Sequence, residues 1–115
     1  MSIQVPLDEL NDEIDRRGAG YLLTSTADGR PHVMHQRFGM DGADLVVPVG
    51  RSAAANIATE AAVTLLWPPL DGAADAAETD GYSLIADGTA RIVTDDDGAR
   101  AIINPISAVF HRPAD

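Results

Sequence analysis

Short runs of strand-forming residues separated by Asp-Gly pairs constrain the fold of this chain more than any other feature. Residues 21–26 form one such run, Tyr-Leu-Leu-Thr-Ser-Thr, and Asp28-Gly29 follows it. An Asp-Gly pair between two strand-forming runs is typical of a tight β-hairpin, because both residues tolerate the positive φ that such a turn requires. We therefore expect a second strand over 31–40, a turn at Asp41-Gly42 and a third strand over 44–49.

The rest of the chain predicts further helices and strands. Apolar residues at helical spacing predict a helix over 6–17, and Ser52 is a suitable N-cap for a helix over 52–60. The glycine of Asp87-Gly88, inside a strand-forming run, predicts a β-bulge or a sharp bend. The other predicted elements are strands over 62–67, 82–93 and 107–111, a helix over 95–103, and an acidic, alanine-rich loop over 70–80 that we expect to be mobile.

Together these elements predict a mainly β fold with short helices. Strands joined by hairpins with glycine corners favour a six-stranded antiparallel barrel, since the connections are too short for repeated parallel crossovers, apart from 52–60. A chain of 115 residues has the size of one typical domain, and no linker divides it. We expect a single domain over 1–115.

Charge and composition exclude several classes of function. A formal net charge of −10 and a pI near 4.4 disfavour nucleic acid and anionic membranes as partners. The sequence has no apolar run of 18 residues and no basic segment leading into an apolar one, so we expect neither a membrane span nor a secretory signal. The absence of cysteine excludes disulfides and thiolate chemistry. A cytoplasmic location is the simplest interpretation.

The segment Gly50-Arg51-Ser52 is the strongest candidate for a ligand site. All eight basic residues are arginine, so there is no lysine for Schiff-base chemistry, and any anionic ligand must be held by arginine. At this helix start, free backbone N–H groups, a hydroxyl and a guanidinium converge where a phosphate group can bind. The alternative is that Ser52 only caps the helix and Arg51 is solvated.

The three histidines do not predict a metal site. His32 and His35 are three residues apart on a predicted strand, so their side chains point to opposite faces. His111 is a possible third ligand, but no spacing brings it close to the other two. The sequence also contains no nucleophile elbow, phosphate-binding loop or dinucleotide-binding glycine pattern, and it identifies no catalytic residue.

Several segments together resemble the pyridoxamine 5′-phosphate oxidase-like proteins, whose members bind FMN or a deazaflavin. The segments are 22–26, 28–33, 45–48, Ser52 with Asn56-Ile57, the strand ending at Trp67, and 82–90 with its Gly-Thr-Ala corner. The likeness spans nearly the whole chain. It implies an FMN-binding split barrel that forms a homodimer, with two flavin sites at the interface and both subunits contributing to each.

The resemblance also implies roles for particular residues. Arg51 and Ser52, near Asn56, match the place where the family holds the phosphate, although alanine replaces the usual lysine just beyond. Arg37 reaches the same phosphate or, alternatively, pairs with a surface carboxylate. The segment Val33-Met34-His35-Gln36 lies along the isoalloxazine ring. Trp67 stacks beside the ring or, as we favour, anchors the core or an interface.

Three functions remain open. The first is a flavin-dependent oxidoreductase, with FMN or a deazaflavin, that passes a hydride to a small organic acceptor. The second is a non-catalytic dimer of the same fold that binds a flavin or haem, or that has lost its cofactor site. The missing lysine and the alanines at 53–55 favour this alternative. The third is an acidic interaction domain, which the loop over 70–80 alone supports.

Overall fold

The computed structural model describes residues 2–70 and 78–113 of the chain. Turn chemistry and periodicity predicted most of the elements in this part. They are β1 (Ser2–Gln4), α1 (Leu7–Arg17), β2 (Gly20–Ser25), β3 (Pro31–Gln36), β4 (Gly39–Asp41), β5 (Asp44–Val49), α2 (Arg51–Thr59), β6 (Ala62–Trp67), a 3₁₀ helix (Glu78–Gly81), β7 (Ser83–Asp95) and β8 (Gly98–His111). Most of the loop predicted over 70–80, residues 71–77, lies outside the described residues.

The strands form one antiparallel sheet in the order β3-β2-β6-β7-β8-β5-β4. Strand β8 pairs with β7 along one edge, and its other edge is long enough for two strands. There β5 pairs with residues 99–103 and β1 pairs with residues 109–111. The predicted class, mainly β and antiparallel with short helices, is confirmed. The described sheet has eight strands rather than six, because β1 joins it and the predicted strand over 31–40 is divided into β3 and β4.

The prediction of a helix over 95–103 is wrong. Asp95 pairs with Gly98 across a two-residue turn, and β8 then continues without interruption to His111. A run of aspartates also suits the acidic first turn of a helix, but here it leads through a hairpin turn to Gly98, which has φ +114°. Beyond the turn, Ala101 and Ile103 are both fully buried, which is the two-residue alternation of a strand.

The bulge predicted at Asp87-Gly88 is confirmed. Asp87 lies opposite Ser107 and Gly88 lies opposite Pro105, so Ile106 is an extra residue of β8 without a partner in β7. A Cβ atom on Gly88 would lie 2.9 Å from the carbonyl oxygen of Asn104, so the close approach of the two backbones requires glycine. The bulge bends the long β7–β8 hairpin between the two ends of the sheet.

The core lies between the inner face of the sheet and the two helices. Helix α1 contributes Leu10 and Ile14, while β2, β6 and β7 contribute alternate residues that are fully buried. Trp67 is 0 % exposed, donates from Nε1 to the carbonyl oxygen of Gly18 at 3.2 Å, and packs against Phe38. This position fits the anchor interpretation and leaves the indole no surface for a ligand.

Two arginines at the end of α1 hold residues 79–82, which precede β7. The Arg17 side chain is fully buried and donates to Glu13, to the carbonyl oxygen of Tyr82 at 2.6 Å and to that of Thr79 at 2.9 Å. Arg16 donates to Asp80 at 2.7 Å, and this hydrogen bond, with the charge of Glu13, raises the pKa of Arg16. The end of α1 is therefore a closed network in which the arginines have partners.

Candidate functional site

A gap in the hydrogen-bonded sheet lies beside the free edge of β3. Gly39 of β4 pairs with Val46 of β5, and β5 continues three residues further, to Val49, without a partner in β4. No residue of β5 pairs with β3, and β3 is an edge strand of the described sheet. Pro48 lacks an N–H group, which disfavours further pairing along the free edge of β5. We call the opening between the two ends of the sheet, with β3 on one side and β4 with the end of β5 on the other, the split.

Helix α2 begins at the split. Gly50 is its N-cap, so the prediction that Ser52 caps the helix is wrong, and Ser52 forms no capping hydrogen bond. The first intrahelical hydrogen bond runs from the N–H of Ala54 to the carbonyl oxygen of Gly50, which leaves the N–H groups of residues 51–53 free of helical partners. Arg51 and Ser52 are both exposed. The start of α2 thus presents N–H groups, a hydroxyl and a guanidinium to the same solvent region.

Asn56 fastens this helix to the sheet. Its side-chain amide donates to the hydroxyl of Thr24 on β2 at 3.1 Å, and Thr24 is 1 % exposed. Ser52 is four residues before Asn56, so the two side chains share one face of α2. The contact between Asn56 and Thr24 therefore sets the position of the helix start relative to β2 and its neighbour β3.

The predicted ring-binding segment of β3 presents its side chains to two faces. Met34 and Gln36 are half-buried and face the core side, together with His32, whereas Val33 and His35 are exposed on the opposite face. The His35 ring lies against Tyr21 with the ring centroids 4.9 Å apart. The side chains of 33–36 cannot all contact one ligand, but the free edge of β3 offers backbone N–H and C=O groups along its whole length.

Arg37 lies beside the end of α1. It follows β3, at the junction with β4, and its Nη1 atom lies 3.6 Å from where a Cβ on Gly18 would be. It lines a small groove of about 130 Å³ with Ile14 and Phe38. Within residues 2–70 and 78–113, Arg37 and Arg51 form no ion pair. The expectation that Arg37 pairs with a carboxylate thus has no counterpart in the described structure, which does not bring Arg37 together with Ser52 either.

The hairpin turn that leads into β3 is held by side chains. The Thr26 hydroxyl donates to the carboxylate of Asp28 and accepts from the N–H of Arg30. The hydrogen bond from Thr26 lowers the pKa of Asp28 below its ordinary value. This turn fixes the register in which Pro31 begins β3 opposite Ser25.

The other face of the sheet carries a groove that the sequence did not predict. We call outer face the side of the sheet on which the residues of neighbouring strands alternate with the core residues. It includes Leu23, Val33, Thr64, Leu66, Ile85, Asp87 and Val109. The outer-face groove encloses about 430 Å³ and is lined by, among others, Leu23, Ser25, Thr64, Asp87, Thr89 and Ile106. Strand alternation could have identified the face, but Ile106 reaches it as the extra residue of the bulge, and local sequence does not show that this residue lies in β8.

Two further observations concern ions and membranes. Among the described residues, no group of three or more His, Asp or Glu side chains is placed to hold a metal ion. His32 and His35 lie on opposite faces of β3, and the Nδ1 atom of His111 lies 3.2 Å from the Ser2 hydroxyl. Neither α-helix in residues 2–70 and 78–113 has the length and apolar character needed to cross a bilayer.

Comparison with known proteins identifies a family over almost all of the chain. Residues 6–113 match the sequence profile of the family described as pyridoxamine 5′-phosphate oxidase. The uncharacterized protein Mb0449c of Mycobacterium bovis is 44 % identical over 82 residues, which cover 66 % of this chain and 53 % of that protein. The chain therefore spans about half the length of the curated relatives that it matches.

Solved structures share the fold at low sequence identity. An F420 reductase superposes with a TM-score of 0.67 at 21 % identity, covering 85 % of this chain and 94 % of that one. The FAD-binding protein of Mycobacterium smegmatis gives 0.65 at 18 % identity over 97 % and 100 %. The haem storage protein HutZ of Vibrio cholerae gives 0.65 at 17 % identity over 90 % and 92 %. At these identities the likeness is one of fold.

Proposed function

This chain belongs to the pyridoxamine 5′-phosphate oxidase family, and on that premise we propose that it is a flavin-dependent oxidoreductase. The proposed cofactor is FMN, with a deazaflavin as the alternative, and the proposed substrate is a small organic acceptor. Similarity to an F420 reductase and to an FAD-binding protein agrees with a flavin ligand without selecting one of them. The fold hosts several functions, so the argument for this one rests on the site.

The observation that carries the proposal is the free start of α2 at the split. The N–H groups of residues 51–53, the Ser52 hydroxyl and the Arg51 guanidinium have no partners among the described residues that would compete with a phosphate. A helix N-terminus attracts anions through these N–H groups and the helix dipole.

The residues at the split fit a phosphorylated flat ring. Arg51 and Ser52 would hold the phosphate, and the free backbone edge of β3 would meet the polar edge of the ring. The contact between Asn56 and Thr24 fixes the start of α2 relative to β2 and its neighbour β3. Hydride transfer is the chemistry that a flavin supplies when bound, so the protein has to bind and orient the ring rather than provide an acid–base pair.

We further propose that the protein is a homodimer in which the outer face is covered by a second copy. Val33 is 55 % exposed and Ile106 is 59 % exposed, and the neighbouring apolar residues of this face are only half-buried. An apolar sheet face of this kind is typical of an interface. The flavin sites would then be shared between subunits, since β3 carries both the free edge at the split and Val33.

Titration of the purified protein with FMN and with a deazaflavin tests this function. Binding should shift the absorbance spectrum of the flavin, and a ligand at a hundred times its dissociation constant should stabilise the fold by about 2.7 kcal/mol. The same samples are assayed for reduction of a small acceptor with the matching electron donor. Absence of both spectral and thermal changes with either flavin would exclude the proposal.

The second candidate is a non-catalytic member of the family that binds a flavin or haem. Alanines at 53–55 place no further side-chain donor beside Ser52, and Arg51 is exposed, which favours weaker phosphate binding. Similarity to a haem storage protein agrees with this alternative. A Soret band on addition of haem, together with no acceptor reduction in the presence of either flavin, would favour it over the oxidoreductase.

A further inference from the structure

The β-bulge places an isoleucine where a strand would otherwise pair. Ile106 is the extra residue of β8, between Pro105 opposite Gly88 and Ser107 opposite Asp87. It is 59 % exposed, the highest exposure among the large hydrophobic side chains of the described residues. A bulge costs ladder hydrogen bonds and redirects a side chain, so bulges occur where that direction is used. Ile106 thus forms an apolar projection from the sheet.

The projection stands at the rim of the outer-face groove. Ile106 is one of the groove's lining residues, with Leu23 on the apolar side and the Thr64 hydroxyl, which donates to Asp87 at 2.9 Å, on the polar side. The groove volume of about 430 Å³ exceeds what one isoleucine side chain occupies. A projection and a recess that can receive it therefore lie side by side on one face.

The chemistry of the outer face favours a second copy of this chain as the occupant. Two copies with a net charge of −10 each repel one another unless they meet where charge is scarce. Among the residues that line the groove, Asp87 alone carries a charge, and its carboxylate accepts from Thr64. A two-fold contact also satisfies both features at once, because each copy offers one projection and one recess.

We propose that Ile106 of each subunit inserts into the outer-face groove of the other, so that each groove is completed by its partner. The inference rests on the homodimer of the proposed function and deepens it by assigning the contact that fixes the two subunits in register. Binding hot spots cluster in well-packed, desolvated pockets near the centre of an interface, which is the position that Ile106 would take. Leu23 and Val33 would surround this contact.

The oligomeric state of Ile106 variants, measured without flavin by sedimentation over a range of concentrations, tests the proposal. Wild type should be a dimer, Ile106→Asp a monomer, and Ile106→Ala should raise the dimer dissociation constant at least tenfold. Leu7→Asp is the matched control, because Leu7 is 46 % exposed at the first position of α1, and it should stay dimeric. If Ile106→Asp loses its circular dichroism signal, that variant is unfolded, and the dimer dissociation constant of Ile106→Ala then decides the test.

Single cysteines test the geometry directly, because the chain has none of its own. A mixture of Ile106→Cys and Thr64→Cys copies should form a disulfide between the two variants on mild oxidation, whereas Ile106→Cys mixed with Leu7→Cys should not. Failure of the first pair to cross-link, or an unchanged dimer dissociation constant in Ile106→Ala, would overturn the insertion while leaving the homodimer in place. A monomeric wild type would overturn both.

Discussion

The two α-helices of this protein each carry arginine at one end, and the two ends differ in what the arginine contacts. At the end of α1, Arg17 is fully buried and donates to Glu13 and to backbone carbonyls of the β6–β7 connection. At the start of α2, Arg51 is exposed and forms no ion pair within the described residues. The difference separates an arginine that holds the fold together from one that is free to bind a ligand.

The largest expected effect is that of removing the buried arginine. Arg17→Met should destabilise the protein by about 3 kcal/mol, because it leaves Glu13 and several buried carbonyls without their donor. Urea unfolding followed by circular dichroism measures this change. Arg51→Met is the control and should stay within about 0.5 kcal/mol of wild type. Equal losses of stability in the two variants would contradict the different roles assigned to Arg17 and Arg51.

Removal of the free arginine should instead affect ligand binding. Arg51→Ala should weaken FMN binding at least tenfold, since a charge-assisted hydrogen bond contributes about 1.5–3 kcal/mol. Arg91→Ala is the matched control, because Arg91 is also exposed and without an ion pair within the described residues, but lies on β7. Fluorescence titration of FMN measures both. A similar loss of affinity in Arg91→Ala would point to a general charge effect rather than a site.

A smaller effect is expected from the contact that positions α2. Thr24→Val keeps the shape of the side chain but removes the acceptor of the Asn56 amide, and should cost about 1 kcal/mol of stability. FMN affinity should fall in parallel, because the helix start is no longer fixed relative to β2. Unchanged affinity in a destabilised Thr24→Val variant would show that this contact does not position the site.

The smallest effect concerns acid stability at the turn before β3. The Thr26 hydroxyl lowers the pKa of Asp28 in the folded protein. The ionised carboxylate therefore stabilises the fold at pH values above the ordinary pKa of aspartate. This stability is lost as the pH falls through the lower pKa that Asp28 has in the folded protein. Wild type should therefore lose slightly more stability than Asp28→Asn between pH 5 and pH 3. Urea midpoints at these two pH values provide the comparison. Parallel losses would show that the turn does not contribute.

Elements specified by neighbouring residues were predictable from the sequence. The Asp28-Gly29 turn, the helix that ends at Arg17 and the bend at Gly88 each depend on local backbone chemistry, and each was found. Strand β1 and the full length of β8 were not predicted, because they depend on pairing between Ser2 and His111, at opposite ends of the chain. The aspartates at 95–97 fit both a helix start and a hairpin turn, and only the partner strand decides between them.

The candidate site also contains features that local sequence predicts and features that depend on how distant parts of the chain pack together. The start of α2 was predictable because Gly50-Arg51-Ser52 is a local signal for a helix start, although the cap is Gly50. The positions of Arg37, against Gly18, and of Trp67, within the core, depend on how α1 packs on the sheet. The outer-face groove depends on a bulge that the sequence indicates in β7 but whose extra residue, Ile106, belongs to β8.

The most direct test of the account compares FMN with riboflavin, which has the same ring and no phosphate, on the wild-type protein. If the free start of α2 holds the phosphate, FMN should bind at least tenfold more tightly than riboflavin by fluorescence titration, and Arg51→Ala should reduce this ratio. Equal affinities of the two ligands for wild type would contradict a phosphate site at Arg51 and Ser52.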